Sequence, residues 1–566
     1  MRCSSCANYG TGMKDIEIPY NQDRGRRYRF FEILPGTLSW FMLLLPLILS
    51  LINVTIASIF ILMYLLIFFV RSIGVNIRAL QGYKTMEMHK KLPWRDMLAE
   101  IQAGDAEKLS PNDTSRPLWH WENLQRLAEH PVPLKPDDLI QVIMIATYNE
   151  TREVVEPTIK SVIASDYDMK KVILVLAYEE RGGPGIREQS QKLVKEYKGV
   201  FMDAMAIEHP ADIPGEIRGK GGNIVFAGRQ MQAYFEERDI DPQRVVVTTL
   251  DSDNRPHPKY LAAMSYMYSI YPEPDHISVQ PISVYNNNIW DAPAPMRVIA
   301  TGNTFFNIVL SLRPHMLRNF SAHAQGMKSL IATDFWSVRT IVEDGHQFWR
   351  SYFAFDGNYR VLPLYVPIYQ DAVLADGYVK TLKAQFIQLQ RWTYGASDIA
   401  YVVTQGFFKK NKVPRYDLYT KVGRLIEGHV TWAVGPLISL TAGFIPSLVV
   451  NFYPQLVRGN QEIAALTLPV IVSHIQTVAL IGLSASLFVC FKTLPPRPAR
   501  YKRHRTIFVV LQWLYLPITT IVYNSFAALY SQTRLILGKY PDKFNVTEKA
   551  TVLKSGERVS RDTKES

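Results

Sequence analysis

The stretch Arg244-Val-Val-Val-Thr-Thr-Leu-Asp-Ser-Asp-Asn-Arg-Pro-His-Pro258 decides the expected fold of this 566-residue chain. Residues 245–250 are β-branched or apolar, which is typical of a strand buried on both faces. The run ends at Asp251-Ser-Asp253, and two prolines then exclude regular structure. Carboxylates at the carboxyl end of such a strand lie where open α/β sheets bind ligands, and they suit Mg²⁺ or Mn²⁺. An Asp-x-Asp that only caps the turn is the alternative interpretation.

Strands and helices alternate on the N-terminal side of this stretch. We expect strands over 141–146 and 171–177 and helices over about 154–165 and 186–197. The first strand ends in Thr147-Tyr-Asn-Glu150 and the second in Tyr178-Glu-Glu-Arg181. Three buried strands that each end in polar residues predict a parallel sheet with its ligands along one edge. The sequence has neither a GxGxxG turn nor a Walker loop, so ATP-driven transport finds no support.

Three further segments carry residues suited to chemistry. Arg218-Gly-Lys-Gly-Gly-Asn223 precedes a helix predicted over about 224–237, and its glycines and Lys220 suit a phosphate, unless it is only a flexible basic turn. Val342-Glu-Asp-Gly-His346 places two carboxylates ahead of a predicted helix, either as a general base or as charges favoured by the helix dipole. Phe320-Ser-Ala-His-Ala-Gln325 has the character of a substrate-facing loop.

An amphipathic helix predicted over 380–403 carries a polar and aromatic set on one face. Gln388, Arg391 and Trp392 fall at i, i+3 and i+4, so they share that face and could hold a pyrophosphate and a sugar ring. Arg and Trp are also ordinary anchors at a membrane interface, and the spacing alone does not separate the two interpretations.

Apolar runs predict an integral membrane protein. Residues 34–70 carry no charge and fit two short spans with a turn at Asn53-Val-Thr55, and basic residues on both flanks place the following domain in the cytosol. Further spans are expected over 425–450 and 464–491, whereas 507–537, broken at Pro517, is either a span or a re-entrant segment. The net charge of +12 is concentrated beside apolar spans, which favours anionic lipid over nucleic acid as the partner.

The chain has three cysteines, so a disulfide framework is excluded. Cys3 and Cys6 have CxxC spacing without a second pair, which gives little support for a zinc or redox site.

The ordered set Thr-Tyr-Asn-Glu, Asp-x-Asp, Glu-Asp and Gln-x-x-Arg-Trp resembles the membrane-embedded family 2 glycosyltransferases, the group of cellulose, chitin, hyaluronan and glucan synthases. The motifs cover roughly residues 138–405. The resemblance implies an α/β glycosyltransferase A-type (GT-A) cytosolic domain inserted between α-helical transmembrane segments of the plasma (inner) membrane. It implies inverting, Mg²⁺- or Mn²⁺-dependent transfer from a nucleotide-sugar donor, expected to be a UDP-sugar, to a growing cell-envelope polysaccharide.

The resemblance also assigns roles to single residues. Nucleotide-sugar binding falls on Thr147, Glu150, Glu179, Lys220, Asn223 and Asp251. Asp253 and Asp251 are the expected metal ligands, Asp344 is the expected general base, and Gln388, Arg391 and Trp392 are expected to cap the donor and acceptor. His323 and Gln325 are the expected acceptor-loop contacts. Two departures stand out: Glu179 replaces the usual aspartate, which leaves uridine an inference, and the acceptor loop differs from that of the polymer synthases.

The implied organisation runs from a cytosolic N-terminal segment to a flexible cytosolic tail. Its parts are 1–33 (N-terminal segment), 34–76 (transmembrane hairpin), 77–137 (juxtamembrane connector), 138–378 (GT-A domain), 379–420 (interfacial helices with QxxRW), 421–537 (transmembrane or re-entrant region) and 538–566 (tail). Phe544-Asn-Val-Thr-Glu-Lys549 is similar to the segment that follows the last span in such enzymes, which lies in the cytosol and favours the re-entrant interpretation.

Three alternatives stay open at the level of sequence. The protein could add a single sugar to a lipid-linked acceptor, it could be a channel or transporter whose domain senses nucleotide sugars, or it could be a membrane scaffold with a degenerate domain. A secretion partner or a homo-oligomer is compatible with each of them.

Overall fold

The computed structural model of the chain describes residues 15–104, 115–457, 459, 461–541, 551–552 and 558–559. A central sheet of eight strands forms the soluble domain. The strands are β1 (Ile140–Thr147), β2 (Val172–Glu179), β3 (Asp203–His209), β4 (Val245–Asp251), β5 (Arg255–Pro256), β6 (Ile277–Tyr285), β7 (His323–Gly326) and β8 (Arg360–Gln370).

The sheet is mixed, with strand order β3-β2-β1-β4-β7-β6-β8-β5. β3, β2, β1 and β4 are parallel, as the sequence predicts for the three strands recognised there. Beyond β4 the sheet departs from the parallel arrangement predicted from those three strands, because β7 runs antiparallel to both β4 and β6. β8 is again parallel to β6, and β5 pairs antiparallel with β8.

Helices cover both faces of the sheet and form the membrane region. In the soluble domain and its connector they are α3 (Trp94–Ala103), α4 (Leu118–Glu129), α5 (Arg152–Ile163), α6 (Pro184–Tyr197), α7 (Lys220–Glu236), α8 (Tyr260–Ile270), α9 (Ala294–Ser311), α10 (Met327–Ala332), α11 (Glu343–Ala354), α12 (Tyr378–Thr393) and α13 (Asp398–Val403). They follow α1 (Arg26–Ile52) and α2 (Val54–His89) and precede α14 (Arg415–Thr441), α15 (Ile445–Phe452), α16 (Gln461–Ala479), α17 (Ile481–Thr493), α18 (Arg505–Leu511), α19 (Leu516–Thr519) and α20 (Ala527–Ile536).

Alternate residues of the central strands build the two halves of the core. Ile143 and Ile145 of β1 face α5, α8 and α3, whereas Val142 and Met144 face α7. All four are fully buried, and each such side chain contributes about 1.5–3 kcal/mol of transfer free energy. Because both faces are covered, the strands read as continuous apolar runs, and this makes them recognisable in the sequence.

Among the described residues, five helical segments are long and apolar enough to cross a membrane: Arg26–Ile52, Val54–His89, Arg415–Phe452, Gln461–Thr493 and Arg505–Ile536. The predicted turn between the first two is present, since the Asn53 side chain accepts hydrogen bonds from the backbone N–H groups of Thr55 (2.9 Å) and Ile56 (3.1 Å). α1 begins eight residues before the predicted span and α2 continues well past residue 76.

The helix predicted over 380–403 is α12, a 3-10 turn at Tyr394–Ser397 and then α13. All six residues of α13 are buried, so this part packs inside the protein and is not exposed on one face as an amphipathic helix would be. The Cys3–Cys6 pair and Phe544–Lys549 lie outside the described residues.

Candidate active site

A cavity of about 90 Å³ lies at the carboxyl end of β4. It brings together residues that are far apart in the sequence and that come from the ends of β4, β6 and β8, the starts of α7 and α11, and one face of α12. The polar lining residues are Lys220, Asp251, Asp253, Tyr285, Ser321, Glu343, Asp344, Gln370, Asp371, Gln388, Arg391 and Trp392.

Lys220 is tied to the end of β4. Its Nζ lies 2.7 Å from Asp251 Oδ1 and donates to the carbonyl of Ser321 at 2.9 Å. Although burial alone would lower the pKa of Lys220, the carboxylates of Asp251 and Glu343 raise it above its ordinary value. Lys220 is therefore a fixed positive charge beside the Asp-x-Asp turn.

The glycines after Lys220 lie inside α7, which begins at Lys220 and not near residue 224. A Cβ on Gly221 would lie 2.8 Å from the carbonyl oxygen of Ser337, and one on Gly222 would lie 2.6 Å from Glu216 Oε2. These glycines are required by close packing of the helix, which the sequence interpretation of a phosphate loop did not foresee.

Asp253 is buried at the turn that follows β4. Its Oδ2 accepts a hydrogen bond from the backbone N–H of Asp371 (3.0 Å), which ties the turn to the end of β8. The turn itself is closed by the N–H of Asn254, which donates to the carbonyl of Asp251 at 3.0 Å. Both aspartates of the predicted pair thus line the cavity in a fixed backbone geometry.

Glu343 and Asp344 form the first turn of α11 and point into the same cavity. Burial and the neighbouring charge of Asp344 raise the pKa of Glu343 to about 8. Burial also raises the pKa of Asp344, against the lowering effect of Lys220. A carboxylate with a raised pKa is a stronger base once it is ionised, which suits proton abstraction.

The predicted face of α12 closes the opposite side. Gln388, Arg391 and Trp392 all line the cavity, and the Trp392 ring packs against that of Tyr285 with centroids 6.4 Å apart. Burial lowers the pKa of Arg391 to about 10, so its guanidinium stays charged at neutral pH beside the carboxylates. The spacing of this motif predicted its shared face.

Four residues predicted to bind the nucleoside or diphosphate do not line this cavity. The Asn223 amide donates to the carbonyls of Thr147 (3.3 Å) and Ala177 (2.9 Å), and Thr147 Oγ1 donates to Ala177 as well, so both brace the ends of β1 and β2. Glu150 accepts from the N–H of Tyr148 at 2.6 Å. Glu179 is buried and paired with Arg181, and burial raises its pKa.

The predicted acceptor loop, residues 320–325, is divided in the structure: Ser321 lines the cavity, whereas residues from His323 onward form the buried strand β7. His323 is 1% exposed, its Nδ1 lies 2.7 Å from the Phe320 carbonyl oxygen, and its Nε2 accepts from the Trp336 indole at 3.1 Å. Gln325 is fully buried and bonded to Ser329 (2.8 Å) and Ser351 (3.2 Å). Neither residue lines the cavity, because a strand paired on both edges keeps these side chains in the core.

The cavity carries more negative than positive charge. Two cations, Lys220 and Arg391, face five carboxyl groups: Asp251, Asp253, Glu343, Asp344 and Asp371. With Glu343 protonated at neutral pH, the carboxylates still outnumber the cations. A bound divalent cation would balance this excess, and hard carboxylate oxygens are the donors that Mg²⁺ and Mn²⁺ prefer. Among the described residues, no group of three or more His, Cys, Asp or Glu forms a complete metal site. Such a donor set fits a metal that takes its remaining ligands from substrate phosphates.

Tyr285 and Asp371 are cavity residues that sequence reasoning missed. They lie at the carboxyl ends of β6 and β8. In the sequence, the Asp-x-Asp pair was found by its position at the carboxyl end of a strand, and the same criterion applies to these two residues. Both strands contain proline (Pro281 in one, Pro363 and Pro367 in the other), and proline argues against a strand in a sequence. The register between β6 and β8 shifts at Pro281, and this irregularity allows the sheet to accommodate the proline.

The solved structures that resemble the chain include glycosyltransferases. A mannosyltransferase of Pyrobaculum calidifontis, in complex with GDP-Man and Mn²⁺, is 14% identical, covers 79% of this chain and 98% of its own, and has a TM-score of 0.36. S. aureus TarS in complex with UDP-GlcNAc is 10% identical, covers 74% of this chain and 96% of its own, and has a TM-score of 0.35. No family model and no curated protein matches the chain. Likenesses this weak support no assignment.

Proposed function

We propose that the protein is a membrane-embedded, metal-dependent, inverting glycosyltransferase of the GT-A type. It takes a nucleotide sugar, expected to be a UDP-sugar, from the cytosol and extends a cell-envelope polysaccharide at the plasma membrane. One observation carries the proposal: the Asp-x-Asp turn, Lys220, the Glu-Asp pair and the Gln-x-x-Arg-Trp face, separate in sequence, line one cavity.

The positions of these residues match the demands of sugar transfer. Asp251 and Asp253 would hold Mg²⁺ or Mn²⁺. When bound, the metal would neutralise the negative charge of the diphosphate leaving group. Lys220, 2.7 Å from Asp251, adds a positive charge at the same point. Arg391 can bind the diphosphate oxygens, and Trp392 offers a flat apolar face to a sugar ring.

Asp344 is the residue we assign as general base. It accepts the proton of an acceptor hydroxyl as that oxygen attacks the anomeric carbon from the side opposite the leaving diphosphate. A single displacement of this kind inverts the anomeric configuration and needs no covalent nucleophile. The raised pKa of Asp344 favours the proton transfer.

The size of the cavity adds a condition to this proposal. A volume of about 90 Å³ holds about three waters, whereas ligand pockets span about 300–1,000 Å³. A nucleotide sugar therefore requires its lining to open. Thr147, Glu150 and Glu179 at the ends of β1 and β2 are proposed to meet the nucleoside in that opened form.

Turnover of labelled UDP- and GDP-sugars by the detergent-purified chain with Mn²⁺ tests the proposal. We expect transfer to a product of heterogeneous size, and we expect EDTA to abolish this transfer. The Asp344→Asn variant should lose at least about a hundredfold in transfer rate. A single lipid-extractable product would retain the chemistry and replace the polymer by a single addition. Metal-dependent donor binding without transfer from any donor would indicate the nucleotide-sugar sensor instead.

A further inference from the structure

A second cavity lies in the membrane region, well apart in sequence from the residues of the active site. It is an open groove of about 910 Å³ between the C-terminal half of α2 and α17. Its lining residues are Leu80, Tyr83, Lys84, Glu87, Met88, Lys91, Ser484, Ala485, Phe488 and Lys492. We call it the α2–α17 groove.

Each wall of the groove is one face of a helix. The residues from Leu80 to Lys91 recur every three or four positions, as do those from Ser484 to Lys492. The helices approach closely at Gly482, where a Cβ would lie 2.5 Å from Asn76 Nδ2. The rings of Tyr83 and Phe488 meet edge to face with centroids 5.5 Å apart.

The floor of the groove is apolar and reaches solvent in the absence of a bilayer. Leu80, Met88 and Phe488 are 42%, 47% and 40% exposed, which is unusual for large apolar side chains that gather in one concave site. Both walls belong to segments that are apolar enough to span a membrane, so the apolar floor suits a lipid acyl chain.

The rim of the groove is basic. Lys84, Lys91 and Lys492 are exposed, and within the described part of the chain none of them is ion-paired. The acidic lining residue, Glu87, forms an ion pair with Lys90 at 2.6 Å. The rim lies at the end of α2 that joins the soluble domain, where Trp94 Nε1 donates to the His89 carbonyl at 2.8 Å. Basic residues beside the end of an apolar span are suited to anionic lipid headgroups.

We propose that the α2–α17 groove is a binding site for an anionic glycerophospholipid. The phosphate headgroup lies among Lys84, Lys91 and Lys492, and an acyl chain runs along Leu80, Tyr83 and Phe488 towards the small residues Ser484 and Ala485. Apolar walls with a rim of unpaired cations complement such a lipid in both its parts. The site is independent of the proposed transfer reaction.

The test is native mass spectrometry of the full chain in detergent, titrated with phosphatidylglycerol or with phosphatidylcholine of the same acyl chains. We expect one phosphatidylglycerol to be retained in preference to phosphatidylcholine. Lys84→Gln with Lys492→Gln should weaken its retention by about 25-fold, since each lysine near a bilayer surface contributes roughly a factor of five.

Two further variants separate a built site from general surface charge. Lys502→Gln with Arg503→Gln removes the same charge from exposed positions outside the groove and should leave retention within about twofold of wild type. Ser484→Trp fills the groove without changing charge and should also reduce retention. Equal loss in the 502/503 variant, equal retention of phosphatidylcholine, or full retention in Ser484→Trp would each overturn the proposal. Size-exclusion elution at the wild-type volume shows that each variant is folded.

Discussion

At the scale of single residues, the buried Glu343–Asp344 pair dominates the electrostatics of the site. Burial raises the pKa of both groups, so the fold favours their protonated forms. An acid with a raised pKa stabilises the fold fully at low pH, and this contribution is lost as the pH rises through the folded-state value. For Glu343, this stabilisation is lost between its ordinary pKa of 4.5 and its raised pKa of about 8.

Replacing Glu343 by Gln should therefore increase stability on the alkaline side. We expect the melting midpoint in detergent to rise by a few degrees at about pH 9 and to change little at about pH 5, since Gln carries no charge to be buried at either pH. Glu188→Gln, at an exposed position on α6, is the matched control and should be neutral at both pH values. An equal change at both pH values would contradict the buried-charge explanation.

Lys220 acts on the pKa of the proposed base, Asp344, in the direction opposite to burial. Its positive charge lowers the pKa of Asp344, so Lys220→Met should raise that pKa further. Because the base must be ionised, the acidic limb of kcat/KM against pH should move to higher pH by about one unit or more. Arg218→Met, which removes an exposed cation paired with Asp212, should leave the limb in place. A uniform loss of activity without a shifted limb would assign Lys220 to diphosphate binding alone.

At the scale of elements, the parts that the sequence predicts are those with a purely local signal. β1, β2 and β4 are apolar runs buried on both faces, and the i, i+3, i+4 spacing on α12 fixes its face without tertiary information. β6 and β8 carry prolines, and β7 is a four-residue strand recognisable only through its partners. The burial of His323 and Gln325 in β7 could not be predicted, because a short polar segment paired on both edges looks like a loop in the sequence.

The N-terminal strap, residues 15–20, is another element without a sequence signal. It lies against α11, the helix that begins with the Glu-Asp pair. Ile16 and Ile18 are buried, and Glu17 accepts from Arg350 of α11 and from Ser337 Oγ at 2.5 Å. Tyr401 donates to the Ile16 carbonyl at 2.7 Å. The strap thus fixes α11 from behind the site.

Glu17→Ala should destabilise the protein by about 3 kcal/mol, because it leaves the buried Arg350 guanidinium without its partner. Denaturant or thermal unfolding in detergent measures the change. Asp15→Ala removes the exposed pair with Lys409 on the same strap, where the two side chains are 78% and 38% exposed, and should cost less than about 1 kcal/mol. Equal effects of the two variants would show that the strap is held by its backbone and its isoleucines.

At the scale of the whole molecule, the bundle has two distinguishable ends. Val54 packs with Val449, Val450 and Ala465 at the end remote from the soluble domain, next to the turn between α1 and α2. The opposite end meets the sheet domain. Four segments run between these ends: Arg26–Ile52, Val54–His89, Arg415–Phe452 and Gln461–Thr493. We expect each of them to cross the membrane, which gives four crossings.

The fifth apolar segment, Arg505–Ile536, has both of its ends on the domain side. At its start, Arg505 donates to the Trp290 carbonyl at 2.8 Å, and Arg297 of α9 donates to Gln512 at 2.6 Å. At its end, Arg29 in the first turn of α1 donates to the Leu535 carbonyl at 3.0 Å. Because both ends contact residues on the domain side, we predict that this segment re-enters the membrane from that side and does not cross it.

With an even number of crossings, the two ends of the membrane region lie on the side of the soluble domain, and the positive-inside rule predicts that this side is cytosolic. We test this with single cysteines in a background without Cys3, Cys6 and Cys490. Ser566→Cys should react with a membrane-impermeant maleimide in inside-out vesicles and not in intact cells, whereas Gln455→Cys, in the loop after α15, should show the reverse. Labelling of Ser566→Cys in intact cells would mean that Arg505–Ile536 crosses the bilayer, and its contacts with Trp290 and Arg29 could not then coexist.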